Sequence, residues 1–250
     1  MAGRRRLDQL LVDRGLAETR TRAQALIMAG LVFSADRRLD KAGMHLAPDT
    51  ALEVRGRDHP WVSRGGVKLA HALDHFAIDP EGAVALDIGA STGGFTDVLL
   101  TRGARRVYAV DVGRGQLAWK LRQDPRVVVL EGVNARRLGC EHVPEAVDLI
   151  VCDASFIGLR TVLPAPLALA APGARLVALV KPQFEVGRAD VGKGGIVRDP
   201  EARERALAEI TGWLDRLLGW RVVGSVESPI TGMAGNVEYL IAAHFAGDGG

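Results

Sequence analysis

The stretch Ala85-Leu-Asp-Ile-Gly-Ala-Ser-Thr-Gly-Gly-Phe95 decides how this 250-residue chain is to be read. An apolar run, Val84 to Ile88, leads into it. Phe95, Val98 and Leu99 leave it at helical spacing, with Thr96 and Asp97 expected on the wetter side. That pattern is strand, glycine loop, helix. Glycines at 89, 93 and 94 allow a tight turn and let a ligand approach the backbone without meeting a Cβ. The N–H groups opening the next helix offer a place for a carboxylate or phosphate. Further along, Tyr108-Ala-Val-Asp111 ends a second strand with an acid able to accept both hydroxyls of a ribose. Together these features indicate a nucleoside-containing cofactor.

Outward from this loop, residues 82–245 alternate strand and helix. Strands are expected at Val84–Ile88, Arg106–Val110, Val127–Leu130, Val147–Cys152 and Arg175–Val180, with two more near Arg221–Val226 and Glu238–Ala243. A long helical pattern covers Glu201–Leu218. Such alternation predicts an α/β fold, a mainly parallel sheet with helices on both faces. Ligands of such sheets sit beyond the carboxyl ends of the strands. Those ends are chemically rich here. Asp153 follows the fourth strand, Lys181 the fifth, and Glu238 stands in the late strand. Lys68 opens an earlier helix with apolar members Leu69, Ala72, Leu73 and Phe76. A cation there opposes the helix dipole, a small anomaly that fits a functional role.

The front of the chain differs. Residues 1–66 hold twelve basic and eight acidic side chains, so the overall charge of +2 is concentrated there. Leu7, Leu10 and Leu11 share a helical face ending near Gly15. A second helix carries Ala23, Leu26 and Ile27, with Thr21 as the expected cap and Gly30 as the stop. Leu31–Phe33 and Thr50–Val54 read as short strands of a small α+β module. The polar stretch Gly56-Arg-Asp-His-Pro60 reads as a linker. Cys140 and Cys152 lack zinc-like spacing and are expected to be reduced core or near-core thiols of a cytoplasmic protein. No metal is expected. No run approaches the ~20 apolar residues of a membrane span.

Several motifs carry resemblances. The loop lacks the third glycine of the dinucleotide fingerprint, where Ser91 stands. Asp-x-Gly-x-x-x-Gly-Gly, from Asp87 to Gly94, resembles instead the first motif of S-adenosylmethionine (SAM) methyltransferases. Arg6-Leu-Asp8, followed by Thr19-Arg20-Thr-Arg-Ala-Gln-Ala-Leu-Ile-Met-Ala-Gly-Leu-Val32, resembles the S4 RNA-binding domain over roughly residues 4–58. Thr19 replaces its usual Ser, and Phe33-Ser-Ala-Asp36 replaces its common Val-Asn-Gly turn. With Asp148-Leu-Ile-Val-Cys-Asp-Ala-Ser-Phe156, Val180-Lys-Pro-Gln-Phe184, Val191-Gly-Lys-Gly-Gly195 and the Trp61-Val62 pair, nearly the whole chain resembles the TlyA (hemolysin A) family. His59-Pro60, before that pair, depart from the Arg-Ala of one branch.

That resemblance implies an S4 domain over residues 1–58, a linker over 59–66 and an FtsJ-like, Rossmann-like methyltransferase domain over 67–250, built on a mainly parallel seven-stranded sheet. It implies 2′-O-methylation of cytidine in ribosomal RNA of the large subunit, with the small subunit as a second possible target, and a catalytic tetrad Lys68, Asp153, Lys181 and Glu238. By position, the cofactor set is Asp87, Gly89, Ala90, Ser91, Thr92, Gly93, Gly94, Asp111, Asn134 and Asp153. RNA contacts are expected at Arg6, Arg20, Arg22, Lys41, Arg64, Arg137, Phe156 and Lys193. The expected partners are ribosomal RNA or ribosomal subunits, without a membrane and without an obligate protein partner. Lys181 is the candidate either for a base, if its neutral amine takes the proton, or for a cation stabilising developing alkoxide. Three other functions compete: a base-directed methyltransferase, a non-catalytic ribosome assembly factor, and a membrane-active haemolysin. Asp153-Ala-Ser-Phe156 lacks the prolines of the base-directed motif, the intact tetrad argues for catalysis, and no amphipathic or apolar membrane segment is evident.

Overall fold

The structure, a computed structural model, describes residues 4–17, 19–55, 59–232 and 235–247. The chain divides into two compact units, Met1–Pro60 and Trp61–Gly250. The division falls within the 59–66 stretch, and Gly56, Arg57 and Asp58 of the polar run read as a linker lie outside the described residues.

The first unit comprises β1 (Arg5–Arg6), α1 (Leu7–Asp13), α2 (Arg20–Met28), β2 (Val32–Ser34), β3 (Arg37–Arg38), β4 (His45–Leu46) and β5 (Glu53–Val54). β1 pairs antiparallel with β4, and β2 lies between β3 and β5. Leu7 and Leu11 from α1 meet Ala23, Leu26 and Ile27 from α2 and Val32 from β2 in one small core. The cap of α2 is Thr19, not Thr21. Its hydroxyl accepts the Arg22 N–H at 3.1 Å, the N-cap to N3 geometry that satisfies an orphan donor, whereas Thr21 is already helical.

The second unit is built on a seven-stranded sheet. Its strands are β6 (Val84–Ile88), β7 (Arg106–Asp111), β8 (Val127–Glu131), β9 (Val147–Cys152), β10 (Ala170–Val180), β11 (Trp220–Glu227) and β12 (Tyr239–Phe245). The spatial order is β11-β12-β10-β9-β6-β7-β8. β8, β7, β6, β9 and β10 run parallel, while β12 is antiparallel to both of its neighbours. The major helices are α3 (Gly65–His75), α4 (Gly94–Thr101) and α9 (Pro200–Asp215). Between them lie four single-turn helices, α5 (Trp119–Arg122), α6 (Leu159–Val162), α7 (Pro164–Leu167) and α8 (Pro182–Glu185).

The central strands are apolar on both faces because both are covered. Leu86, Ile88, Ile150 and Cys152 pack toward Ile210 and Leu214 of α9. The alternate residues Ala85, Leu149 and Val151 pack toward Leu69 and Leu73 of α3 and Val98 and Leu99 of α4. The chain passes from β8 on one side of β6 to β9 on the other, so the topological switch point lies between β6 and β9. This is where such sheets open a ligand crevice.

Two expectations change. Thr96 and Asp97 are buried, not solvent-facing. Thr96 donates to Asp87 Oδ2 at 2.6 Å, and Asp97 Oδ2 accepts the Val62 N–H at 2.7 Å and pairs with Lys120. Each polar side chain is retained inside because a partner from another element satisfies it. Cys140 is exposed, while Cys152 is buried, with its thiol pushed up to about 12 by loss of solvation.

Candidate active site

The site is assembled from the carboxyl ends of β6, β7, β9 and β10 and the amino end of β12. Gly89 follows β6 at φ +81°, a left-handed conformation suited to glycine. A Cβ there would lie 2.9 Å from the Ala154 Cα, so the turn after β6 and the turn after β9 can touch only because residue 89 is glycine. The Asp153 N–H donates to the Ile88 carbonyl at 2.9 Å and completes that junction.

A cavity of about 370 Å³ opens at this switch point, within the size range of small-molecule sites. Gly89, Ser91, Asp111, Asn134 and Asp153 line its polar side, and Val112, Val133, Ile157 and Val162 its apolar side. Asp111 is held by two backbone donors, Ser91 N–H to Oδ2 at 2.8 Å and Gly113 N–H to Oδ1 at 2.7 Å. Asp111 also lines the cavity. Asn134 both lines the cavity and accepts the Arg136 N–H at 3.1 Å.

The other residues of the expected cofactor set stand behind this wall. Asp87 is fully buried, and desolvation, reinforced by the Asp153 charge and offset by the Thr96 hydrogen bond, raises its carboxyl to about 7. Ala90 and Gly93 are buried and Thr92 is exposed, none lining the cavity. Gly93 and Gly94 serve packing: Cβ atoms there would meet Leu121 Cδ1 at 2.3 Å and Ser63 Oγ at 2.3 Å. The missing Cβ of Gly94 lets the starts of α3 and α4 approach, and α3 carries Lys68.

A second cavity, about 240 Å³, adjoins the first and shares Ser155 and Phe156 with it. Lys68, Lys181 and Glu238 line it. All three are buried, at 8%, 6% and 2% exposure. Lys68 Nζ bonds Glu238 Oε2 at 2.5 Å, while Lys181 Nζ lies 2.6 Å from Asp153 Oδ1. Lys181 also donates to the Asp153 carbonyl at 3.1 Å and to Ser155 Oγ at 2.7 Å. The pairing register Val180↔Tyr239 across β10 and β12 accounts for this, because it sets the residues just beyond it, Lys181 and Glu238, side by side. Lys68 from α3 and Asp153, Lys181 and Glu238 from strand ends are thus brought together as two ion pairs, with only Asp153 partly exposed.

Phe156 is 83% exposed at φ +65°, which excludes core packing for its ring. It stacks obliquely on Phe184, ring centres 5.3 Å apart. Asn236, buried beside Glu238, accepts the Val197 N–H at 3.0 Å and donates to the Gly195 carbonyl at 2.8 Å, pinning the glycine-rich loop over the second cavity. Arg64, Arg137 and Lys193 are exposed on this unit. In the first unit, Arg22 and Lys41 are exposed, but Arg6 and Arg20 are engaged: Arg6 forms a bidentate pair with the buried Asp8 carboxylate, and Arg20 meets it at 3.1 Å. These cations hold the Asp8 carboxyl well below the usual range.

Reasoning from sequence alone misses Ser155, Gln183 and Phe184, although the first lies inside Asp153-Ala-Ser-Phe156 and the others inside Lys181-Pro-Gln-Phe184. The available signal is adjacency to an acid and a lysine already singled out. Among the described residues there is no cluster of three or more side chains suited to a metal, and no helix is long and apolar enough to cross a membrane.

Comparison with known proteins places these features. An FtsJ-like methyltransferase profile matches residues 61–245 and an S4 domain profile residues 5–51. The chain is 52% identical to the 16S/23S rRNA (cytidine-2′-O)-methyltransferase TlyA of Mycobacterium tuberculosis, covering 96% of this chain and 90% of that protein. It is 42% identical to Hemolysin A of Brachyspira hyodysenteriae, covering 96% and 99% respectively. A structure described as a hemolysin from Streptococcus thermophilus superposes with a TM-score of 0.76 at 43% identity, covering 98% of this chain and 90% of that one. A switch-point cavity beside two buried lysine–carboxylate pairs, joined in one chain to a small basic module, therefore has a family: the chain belongs to the TlyA (hemolysin A) family of rRNA methyltransferases, an S4 domain with an FtsJ-like methyltransferase domain.

Proposed function

We propose that this protein transfers a methyl group from SAM to the ribose 2′-hydroxyl of a cytidine in ribosomal RNA. The observation that carries this reading is the pair of ion pairs, Lys181–Asp153 and Lys68–Glu238, set at the walls of the two adjoining cavities. The larger cavity fits the cofactor. Asp111 has lone pairs for ribose hydroxyls, Asn134 stands beside apolar walls suited to an adenine, and Gly89 and Ser91 border the remainder. When bound, SAM supplies an electrophilic sulfonium methyl.

The chain's own residues do the rest. Lys68, fixed by Glu238, holds a positive charge beside the acceptor and stabilises an oxygen that gains negative charge, while Lys181, fixed by Asp153, takes up the proton that this oxygen releases. Burial of these groups limits their motion, so alignment supplies much of the rate. Exposed Phe156, backed by Phe184, offers its face to an unstacked base. Arg64, Arg137 and Lys193 serve as phosphate contacts near the cleft. In the amino-terminal unit Arg22 and Lys41, with Arg6 and Arg20 oriented by Asp8, bind rRNA backbone by charge and shape. The reaction places the protein in the cytoplasm with ribosomal RNA or ribosomal subunits as its partner.

The test is transfer from radiolabelled SAM to separated subunits and to naked rRNA, both unmethylated at the candidate sites. Label retained in an alkali-resistant dinucleotide identifies a 2′-O-methyl product. Label on a base would establish the base-directed reaction. Tight binding of SAM and of subunits without transfer would establish an assembly factor.

A further inference from the structure

The three hydrogen-bond partners of Lys181 are not equivalent. Two of them, the Asp153 carboxylate at 2.6 Å and the Asp153 carbonyl at 3.1 Å, can only accept. The third, Ser155 Oγ at 2.7 Å, can accept or donate. An ammonium has three N–H groups and one is directed at each partner. A neutral amine has two N–H groups and a lone pair. The two N–H groups then satisfy the two obligate acceptors, because a lone pair aimed at either would be repelled. The lone pair is left facing the Ser155 hydroxyl.

Exposure points the same way. Lys181 is 6% exposed, whereas Ser155 is exposed, lines both cavities and has no acceptor for its own O–H among the described residues. A hydroxyl brought up between the cavities meets Ser155 before the lysine amine. We infer that Ser155 is the proton relay between the acceptor hydroxyl and Lys181, an assignment that rests on the 2′-O-methyltransferase reading above. The acceptor O–H bond breaks as its proton passes to Ser155 Oγ, and the Ser155 proton passes to the Lys181 amine. The acceptor oxygen takes the methyl, and the C–S electron pair stays on sulfur. Charge balances, because the donor loses its sulfonium charge as Lys181 becomes an ammonium. Asp153 keeps the amine in place throughout, and the new ammonium regains three acceptors without moving.

Ser155→Ala and Ser155→Thr separate this role from a structural one. Single-turnover transfer, S-adenosylhomocysteine affinity by calorimetry, KM for rRNA, and rate in H2O–D2O mixtures are to be measured together. The expected result for Ser155→Ala is a rate loss of ~10²-fold or more, the usual range for a lost acid–base group. Cofactor-product affinity and KM should stay within about threefold, a change of well under one factor of ten. Ser155→Thr, which keeps the hydroxyl, should recover most of the rate. The wild-type rate should bow with deuterium fraction, because two protons move in the rate-determining step, and Ser155→Ala should lose that bow. A Ser155→Ala rate close to wild type, a linear wild-type dependence, or affinity falling in step with rate would overturn the relay. Absence of a 2′-O-methyl product from the wild type would overturn the reading beneath it.

Discussion

Among the described residues Glu238 has one cationic partner, Lys68, and both are buried. Removing one member of such a pair leaves a buried charge unpaired, which costs about 3–5 kcal/mol. Glu238→Ala is therefore expected to lower unfolding free energy by that order, measured by urea denaturation, as well as to abolish transfer. Asp87 behaves oppositely with pH. Burial favours its uncharged acid, so the folded protein keeps a proton that the unfolded chain releases near its ordinary carboxylate value. Its contribution to stability is full below about pH 4 and is lost as pH rises toward about 7. A shift of about three units corresponds to ~4 kcal/mol. Asp87→Asn should flatten that decline in thermal melts taken from pH 4 to 7.5, and an unchanged pH dependence would refute the burial argument. At this scale the sequence was most informative. Asp153, Lys181 and Glu238 are chemically costly residues at strand ends and Lys68 a cation at a helix start, so their type and position alone drew attention. Ser155 is an ordinary hydroxyl, distinguished only when the fold sets it 2.7 Å from the Lys181 amine. Asp87 looked like a loop ligand because adjacency in sequence does not reveal which side of a turn a side chain takes.

The decisive element is the turn from β6 into α4. Its glycines were legible as a loop; Gly89 borders the larger cavity, while Gly93 and Gly94 make room for packing. Gly94 exists for the contact of α3 with α4, where a methyl would press on Ser63 Oγ and the Gly66 amide. Gly94→Ala is expected to cost ~1–3 kcal/mol, the usual range for overpacking, and to displace Lys68 enough to slow transfer. Unchanged stability by denaturant titration would contradict this. β6 and β9 lie within the expected boundaries because continuous β-branched and aliphatic runs admit few alternatives. The caps and the single-turn helices were less legible. Thr19 and Thr21 are equivalent on composition, and only the reach to the Arg22 amide distinguishes them. Thr96 and Asp97 were assigned to solvent because helical periodicity does not see Asp87 or the Val62 amide.

For the whole molecule, an uneven charge distribution separates a basic amino-terminal unit from a larger catalytic one. The alternating pattern of the second unit was legible from hydrophobic periodicity. How many of the basic residues are available to RNA was not legible. Asp8 neutralises part of the charge of Arg6 and Arg20 while fixing their direction, which needs the folded structure to be seen. Arg22→Glu combined with Lys41→Glu is expected to weaken rRNA binding across salt concentrations. It should also reduce the slope of log K against log salt by about 1–2, roughly one for each phosphate no longer neutralised. Filter binding from low to physiological salt reads this directly, and an unchanged slope would remove these residues from the RNA surface.

The central claim is that the buried lysine–carboxylate pairs perform ribose methylation while a separate wall of the crevice holds the cofactor. Lys181→Ala tests it most directly, with nucleotide mapping of 2′-O-methyl groups on unmethylated subunits run beside equilibrium SAM binding. The account predicts a cytidine ribose methylated by the wild type and left unmodified by the variant, with SAM affinity unchanged within a few-fold. Transfer persisting in the variant, or affinity and transfer falling together, would contradict it.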